Sequence, residues 1–323
     1  PAIRMAYEFL PGNRMVFYMQ GRHSPRENFI SDGRGAHQST PLIVLVDEQT
    51  ASASEIFAGS TQDNDRALIV GRRSFGKGLV QESIEFRDGS MLRLTIARYY
   101  MPSGRCVQKP YTPGDFEEYE MDFINRIKSG ELESGDSIKE HGKKYYTRLG
   151  RTVYSENGIT PDVFVPEQTE LLTSYVKEAS MKGLLVKYAY VYTNENRKAL
   201  SELKTWEEVA AWLNKHDVVE KFADYANKNG LPRRNLLIKK SHRLLQTYLC
   251  GYIIDDLLGR DALTRYLNSD DKCVITALKL MNEGKAFPAA PKKSRQDKPK
   301  NGKERTAQAG CGVEMQAQPS FFA

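Results

Sequence analysis

A continuous apolar stretch, Pro41-Leu-Ile-Val-Leu-Val-Asp47, limits most strongly what this chain can fold into. A run of that length without alternation predicts a strand buried on both faces, as in a parallel sheet. The small residues at 51–62 favour a helix, and Ala67-Leu-Ile-Val70 predicts a second buried strand. The order strand, helix, strand therefore indicates an α/β domain with a right-handed crossover connection.

Three zones follow one another along the chain. Residues 1–166 mix strand and helix signals and are predicted to form one domain. Within it, Asp88-Gly89 predicts a hairpin turn between two strands, and the charged residues 112–150 predict a surface insertion. Residues 167–287 carry helix start and stop signals and predict an all-helical domain. Residues 288–323 have low hydrophobicity and predict a disordered basic tail.

Composition excludes several classes of protein. The chain has 323 residues, 40% of them hydrophobic, which is typical of a folded protein. No apolar run reaches the roughly 18–20 residues that a membrane span needs. Four scattered cysteines do not predict a disulfide framework, and no His, Cys and acid cluster has metal-ligand spacing. We therefore expect no metal and no cofactor. Most of the net charge of +6 lies in the tail, so we expect no nucleic-acid-binding face on the folded part.

Hydroxyl side chains stand where the strand at 41–47 leads into the predicted helix. Ser52-Ala-Ser-Glu55 matches a capping box, in which Ser and Glu bond the free amides of the first turn. The same place also suits a nucleophile, because helix-start amides and the positive dipole end stabilise an oxyanion. Periodicity leaves Thr50, Ser52 and Ser54 as candidates, and both interpretations stay open.

A lysine between two glycines, Lys77, has three interpretations. The pattern Gly71-x4-Gly76-Lys77 is partly that of a phosphate-binding loop, but Gly78 and a predicted strand follow instead of Ser or Thr and a helix. Lys77 can also be the general base that activates a serine hydroxyl. It can do so only with a neutral amine, which an apolar wall and inward-pointing arginines would favour. The third interpretation is an exposed lysine on a glycine turn.

Motifs for both residues occur together with others in the first zone. The segments are Thr50–Asp63, Gly71–Gln81, Asp88–Ser90, Leu94–Thr95, Tyr99–Arg105 and Gly158–Asp162. Together they resemble the C-terminal processing peptidases, also called tail-specific proteases, over about residues 1–165. The resemblance implies that Ser52 is the nucleophile, that Lys77 is the base, and that Gln81 orients the lysine. It also links Asp63 to activity.

The resemblance also implies a fold and an activity. We expect part of a crotonase-like protease core, a helical C-terminal domain and a disordered tail. The implied function is a serine endopeptidase that cleaves protein substrates near their C-termini, in a cell envelope or periplasm. Two alternatives stay open, an inactive interaction module that keeps the fold and a nucleotide-binding protein.

Two features of the family pattern are not found in this sequence. Family members carry an upstream PDZ domain and a Leu-Arg-x-Asn-x-Gly-Gly stretch that feeds the oxyanion hole, and we expect both to lie upstream of this sequence. A homo-oligomer is left open. One geometric point is also unresolved, because residues four apart on a strand lie about 13 Å apart. The chain must therefore bend if Gln81 is to reach Lys77.

Overall fold

The computed structural model of the chain describes residues 2–111, 116–135, 142–167 and 169–290. The first zone contains α1 (Ala2–Phe9), β1 (Met15–Gln20), β2 (Glu27–Ile30), β3 (Ile43–Val46), α2 (Ala53–Asp63), β4 (Leu68–Gly71), β5 (Leu79–Glu85), β6 (Met91–Tyr100), α3 (Phe116–Lys128), β7 (Lys144–Tyr146), β8 (Thr152–Tyr154) and β9 (Val163–Phe164). The second zone contains α4 (Ser174–Met181), α5 (Leu184–Glu195), α6 (Arg197–Leu200), α7 (Trp206–Lys215), α8 (Val218–Lys228), α9 (Asn235–Lys240), α10 (His242–Leu258), α11 (Arg260–Asp270) and α12 (Lys272–Asn282).

Two larger sheets organise the first zone. Strands β3, β4 and β9 form a parallel sheet in the order β3-β4-β9, with Val46 opposite Gly71. This arrangement confirms the predicted strand–helix–strand unit. The prediction that the first of these strands is buried on both faces is wrong. In the described part of the chain β3 is an edge strand, and Leu45 is 42% exposed.

The second sheet has the order β2-β1-β6-β5 and is antiparallel. Its β5–β6 hairpin confirms the predicted turn, because the Phe86 amide donates to the Ser90 carbonyl at 2.9 Å and Gly89 has a φ of 84°. Glycine adopts this φ without strain. Strand β2 lies in a stretch where no element was predicted, because its residues Glu27-Asn-Phe-Ile30 show no sustained alternation.

Helix α2 packs tightly against the core of the first zone. A Cβ on Gly59 would stand 2.4 Å from the Met101 sulfur and 2.9 Å from a methyl of Ile159, so a larger residue here would have to displace these side chains. Ala58 and Ile69 are buried in the same cluster. This close packing fixes the position of α2, and with it the turn that precedes the helix.

The predicted insertion at 112–150 is not wholly a surface feature. Helix α3 delivers Arg126, whose side chain is buried, and Glu131 after it is buried too. Both side chains pack beside the segment that leads to Lys77. A hydropathy pattern does not reveal this burial. Charged residues that are buried only as ion pairs resemble surface residues in a sequence. Residues 112–115 and 136–141 of the predicted insertion lie outside the described residues.

The second zone is helical, as predicted. Its core is formed by buried side chains of α4, α5, α7, α8 and α10. Thr205 caps α7, where its side chain accepts from the Glu208 amide at 3.3 Å and Glu208 accepts from the Thr205 amide. This capping box matches the pattern in the sequence. The tail at 291–323 lies outside the described residues. Of the helices that the structure describes, none combines the length and the apolar character that crossing a bilayer requires.

Candidate active site

Ser52 occupies a sharp turn between β3 and α2. Its backbone has φ 57° and ψ −118°, a conformation that costs a residue other than glycine about 1–3 kcal/mol. The turn is held by Asp47, whose carboxylate accepts from the Thr50 amide and from the Thr50 hydroxyl, each at 3.0 Å. The side chain of Thr50 therefore helps to hold the turn. Ser54 is exposed within the first turn of the helix, and Ser52 is half-buried.

The amide of Ala53 is available beside Ser52. The amides of Ser54, Glu55 and Ile56 already donate to the carbonyls of Ala51 and Ser52. Among the described residues, the Ala53 amide has no hydrogen-bond partner, and Ala53 is exposed. An open amide at the start of a helix is a suitable donor for a developing oxyanion.

Glu55 links the serine turn to the lysine segment. Its carboxylate is buried and accepts the Ser52 amide at 2.9 Å and the Lys77 amide at 2.8 Å. It also accepts the Gly76 amide at 2.7 Å and the Ser74 hydroxyl at 2.5 Å. Burial raises the pKa of Glu55 above its usual value, and these four hydrogen bonds offset part of that rise. The capping-box pattern pointed to the first of the four bonds and missed the other three.

A second side chain, Tyr99, contacts the backbones of the same two residues. The hydroxyl of Tyr99 lies 3.2 Å from the Ser52 carbonyl oxygen and also bonds the carbonyl oxygen of Lys77. Tyr99 begins one of the motif segments, but the sequence assigns it no role, because its place in an apolar strand is typical of a core residue. Among the described residues, no hydrogen bond joins the Ser52 hydroxyl directly to the Lys77 amine. The two residues are connected through their backbones.

Salt bridges hold the segment that precedes Lys77. Arg72 bonds Glu48 at 2.7 Å, and Arg73 bonds Glu131 at 2.6 Å. Both guanidinium groups are therefore paired with acids, which weakens the like-charge effect that inward-pointing arginines would have on the lysine. Arg126 shares Glu131 at 3.0 Å and donates to the Ser74 carbonyl at 3.3 Å. Burial lowers the pKa of Arg126.

Gln81 is turned by a β-bulge. Val80 lies opposite Ala97, whereas the next residue, Gln81, lies opposite Thr95, so Ile96 has no partner on β5. Opposed residues share a face of the sheet, and Thr95, Ala97 and Tyr99 lie on one face of β6. The bulge therefore moves Gln81 to the face from which Tyr99 contacts Lys77. Gln81 is exposed, and its amide lies 3.4 Å from the Thr95 hydroxyl.

Asp63 lies at the far end of α2. The helix has 11 residues, which places Asp63 about 15 Å from the turn at Ser52. Its side chain is buried and forms an ion pair with Arg105 at 2.8 Å, and it accepts the Ser103 amide at 3.1 Å. The structure thus brings Ser52 and Lys77 together, directs Gln81 to the same side of the sheet, and separates Asp63 from them.

A cavity of about 340 Å³ adjoins the serine turn. One side is lined by Thr50 and Arg72, and another by Arg243 and Cys273 from the helical zone. The helical zone therefore contributes to the surroundings of the turn at Ser52. In the described part of the chain, no group of three or more His, Cys, Asp or Glu side chains could hold a metal ion.

Comparison with known families finds two separate matches along the chain. Residues 1–117 match the sequence profile of peptidase family S41. Residues 175–259, which lie in the helical zone, match a family of unknown function, DUF8443.

Several curated proteins are similar to part of this chain. A carboxyl-terminal-processing protease of Synechocystis sp. is 43% identical over 107 residues, which are 33% of this chain and 25% of the relative. The chloroplastic carboxyl-terminal-processing peptidase 3 of Arabidopsis thaliana is 45% identical over 151 residues, or 42% of this chain and 28% of the relative. The chain thus spans about a quarter of the length of these relatives. A photosystem II D1 C-terminal processing protease structure aligns with 52% of this chain and 31% of its own, at 25% identity and a TM-score of 0.35.

Proposed function

Because residues 1–117 belong to peptidase family S41, we propose that this chain carries the nucleophile and the general base of a serine endopeptidase that cleaves proteins near their C-termini. One observation carries the assignment of residues. The strained turn at Ser52 and the peptide of Lys77 are tied to the same buried carboxylate, that of Glu55. A structural lysine on a glycine turn has no need of such a link to a strained serine.

The proposed reaction uses Ser52, Lys77 and the open amide of Ala53. The neutral amine of Lys77 takes the proton of the Ser52 hydroxyl while the oxygen attacks the scissile carbonyl. The Ala53 amide donates to the oxyanion that forms. Lys77 then gives its proton to the leaving amine, which departs and leaves an acyl-enzyme. Water hydrolyses this ester with Lys77 again as the base.

Two further residues have supporting roles in this proposal. Gln81 orients the Lys77 amine from the face of the sheet that the bulge gives it. Asp63 acts through its ion pair with Arg105, which holds the end of α2, rather than by contact with the reacting atoms. The crotonase-like nature of the core, an upstream PDZ domain, a homo-oligomer and an envelope location are proposals that rest on the resemblance alone.

The nucleotide-binding alternative has less support. A phosphate-binding loop leads into a helix, whereas Gly78 leads into strand β5. ATP is therefore expected to leave the unfolding temperature unchanged. The inactive-module alternative keeps the same fold and differs only in chemistry.

A serine-directed fluorophosphonate probe tests the proposal on this chain. We expect labelling at Ser52, its loss in Ser52→Ala, and a loss of at least 100-fold in Lys77→Ala. Ser54→Ala is the matched control, since this hydroxyl is exposed two residues away, and it is expected to label normally. Cleavage of a protein with an unstructured apolar C-terminus by the same variants tests the substrate class. Equal labelling of Ser52→Ala and the unchanged chain contradicts the dyad, and a folded but unlabelled chain supports the inactive module.

A further inference from the structure

Tyr99 belongs to the buried core of the first zone. Tyr99 is 1% exposed. Its ring packs edge-on against the ring of Phe17, with the two ring centroids 6.3 Å apart. Packing alone accounts for the ring. It does not account for the hydroxyl, which reaches away from β6 to the carbonyl oxygens of Ser52 and Lys77.

The two contacts of this hydroxyl complement those of Glu55. Glu55 accepts the amides of Ser52 and Lys77, and Tyr99 lies against the carbonyls of the same two residues. The backbones of Ser52 and Lys77 are therefore contacted on both their amide and their carbonyl groups by two shared side chains. The serine turn is strained, so it keeps its shape only while its surroundings hold it.

We propose that Tyr99 is a positioning residue that sets the separation between the side chains of Ser52 and Lys77. This inference rests on the proposed function, because it assigns a purpose to the juxtaposition of those two residues. Through these contacts Tyr99 fixes the two backbones from which the hydroxyl and the amine extend. Loss of its hydroxyl removes the contact that the two carbonyls share and lets the pair drift apart, and small displacements of this kind slow reactions strongly.

The test measures the distance between the two side chains without requiring peptidase activity. Ser52→Cys places a thiol at the position of the hydroxyl. A nearby Lys77 amine takes up the thiol proton, and the resulting ammonium increases the thiolate fraction at neutral pH. The rate of alkylation by iodoacetamide at pH 7 therefore reports how close Lys77 lies. Peptide mass spectrometry separates this site from the native cysteines.

Three variants are compared in the Ser52→Cys background. Lys77→Met is expected to lower the alkylation rate about 8-fold, as for a thiol whose ionisation midpoint rises by about one pH unit. Tyr99→Phe keeps the ring and is expected to lower the rate about 3-fold, an intermediate loss. Tyr100→Phe is the matched control, because this neighbouring ring stacks on Tyr18 on the opposite face, and it is expected to leave the rate unchanged.

The outcomes separate this proposal from the proposed function. If Lys77→Met slows alkylation and Tyr99→Phe does not, the serine–lysine pair stands and the role of Tyr99 is overturned. If Lys77→Met has no effect, both are overturned. Should Tyr99→Phe fold poorly in thermal unfolding, 4-aminophenylalanine at position 99 restores a donor on the same ring. Recovery of the alkylation rate by this residue supports the proposal, and failure to recover it with the fold restored overturns it.

Discussion

The backbone amides of Ser52 and Lys77 donate to one oxygen, Oε2 of Glu55, at 2.9 and 2.8 Å. The two residues come from separate loops, one before helix α2 and one before strand β5. A shared acceptor holds the two loops at a fixed spacing, because hydrogen bonds to an ionised carboxylate are stronger than those between neutral groups. The candidate site therefore depends on a residue whose sequence pattern indicated only a helix cap.

Replacement of Glu55 by glutamine tests this dependence. Glu55→Gln keeps the size of the side chain, but its amide group presents hydrogens to donors that need an acceptor. We expect the free energy of unfolding to fall by about 2 kcal/mol and fluorophosphonate labelling of Ser52 to fall at least 10-fold. Urea unfolding and labelling rates measure the two effects. Glu82→Gln, at an exposed position of β5, is the matched control. Normal labelling of a folded Glu55→Gln protein would show that the shared acceptor is dispensable.

Gln81 is expected to affect the reaction without affecting stability. Its side chain is exposed, so Gln81→Ala should change the free energy of unfolding by less than about 0.5 kcal/mol. If the bulge directs Gln81 toward Lys77, labelling of Ser52 falls about 10-fold, the equivalent of one lost hydrogen bond to the amine. Ser83→Ala, two residues further out on the same strand, is expected to label normally. Equal rates for both variants would remove Gln81 from the site.

The thiol of Cys250 makes the helical zone sensitive to alkaline pH. Burial raises the pKa of Cys250 from 9.0 to about 11, although a hydrogen bond with Tyr266 offsets part of the rise. A raised pKa in the folded state means that the protonated thiol stabilises the fold fully below pH 9 and that this contribution is lost as the pH rises through 11. We expect the stability advantage of the unchanged chain over Cys250→Ala to shrink by about 2 kcal/mol between pH 8 and pH 11.

Urea unfolding of the two proteins across this pH range measures the change. Cys273→Ala is the control, since the Cys273 thiol is only half-buried and a smaller change is expected. A stability difference between the Cys250→Ala protein and the unchanged chain that stays constant from pH 8 to pH 11 would mean that the Cys250 thiol ionises as readily in the fold as in the unfolded chain.

The parts of the fold that follow from local patterns could be predicted. The run at 41–47, the small residues of α2 and the Asp88-Gly89 turn each determine their own neighbourhood, so the parallel pair β3–β4 and the hairpin β5–β6 could be placed. The exposure of β3 could not be predicted, because it depends on the order of the strands in the whole sheet.

Less of the candidate site could be predicted from the sequence. The local pattern left Thr50, Ser52 and Ser54 open, and only the family resemblance singled out Ser52 and Lys77. The connection of these two residues through Glu55 and Tyr99 joins residues far apart in sequence. The bulge that turns Gln81 leaves no local signal, because it depends on how β5 pairs with β6. Buried charges such as Arg126 also escape hydropathy patterns, since each is buried only with its partner.

The ion pair between Asp63 and Arg105 separates a structural role from a chemical one. Both side chains are almost completely buried, so Asp63→Asn leaves a guanidinium in the core without its carboxylate. We expect a loss of about 3–5 kcal/mol in the free energy of unfolding, and partial recovery in the double variant Asp63→Asn with Arg105→Met, which removes the uncompensated charge. Urea unfolding measures both.

The folded fraction of the Asp63→Asn protein is expected to label at Ser52 at the normal rate, because the carboxylate lies about 15 Å from the turn along α2. Loss of labelling in a variant that remains fully folded would instead give Asp63 a direct part in the reaction. Labelling of the double variant decides between the two, since restored stability brings restored labelling only if Asp63 acts through the ion pair and the position of α2.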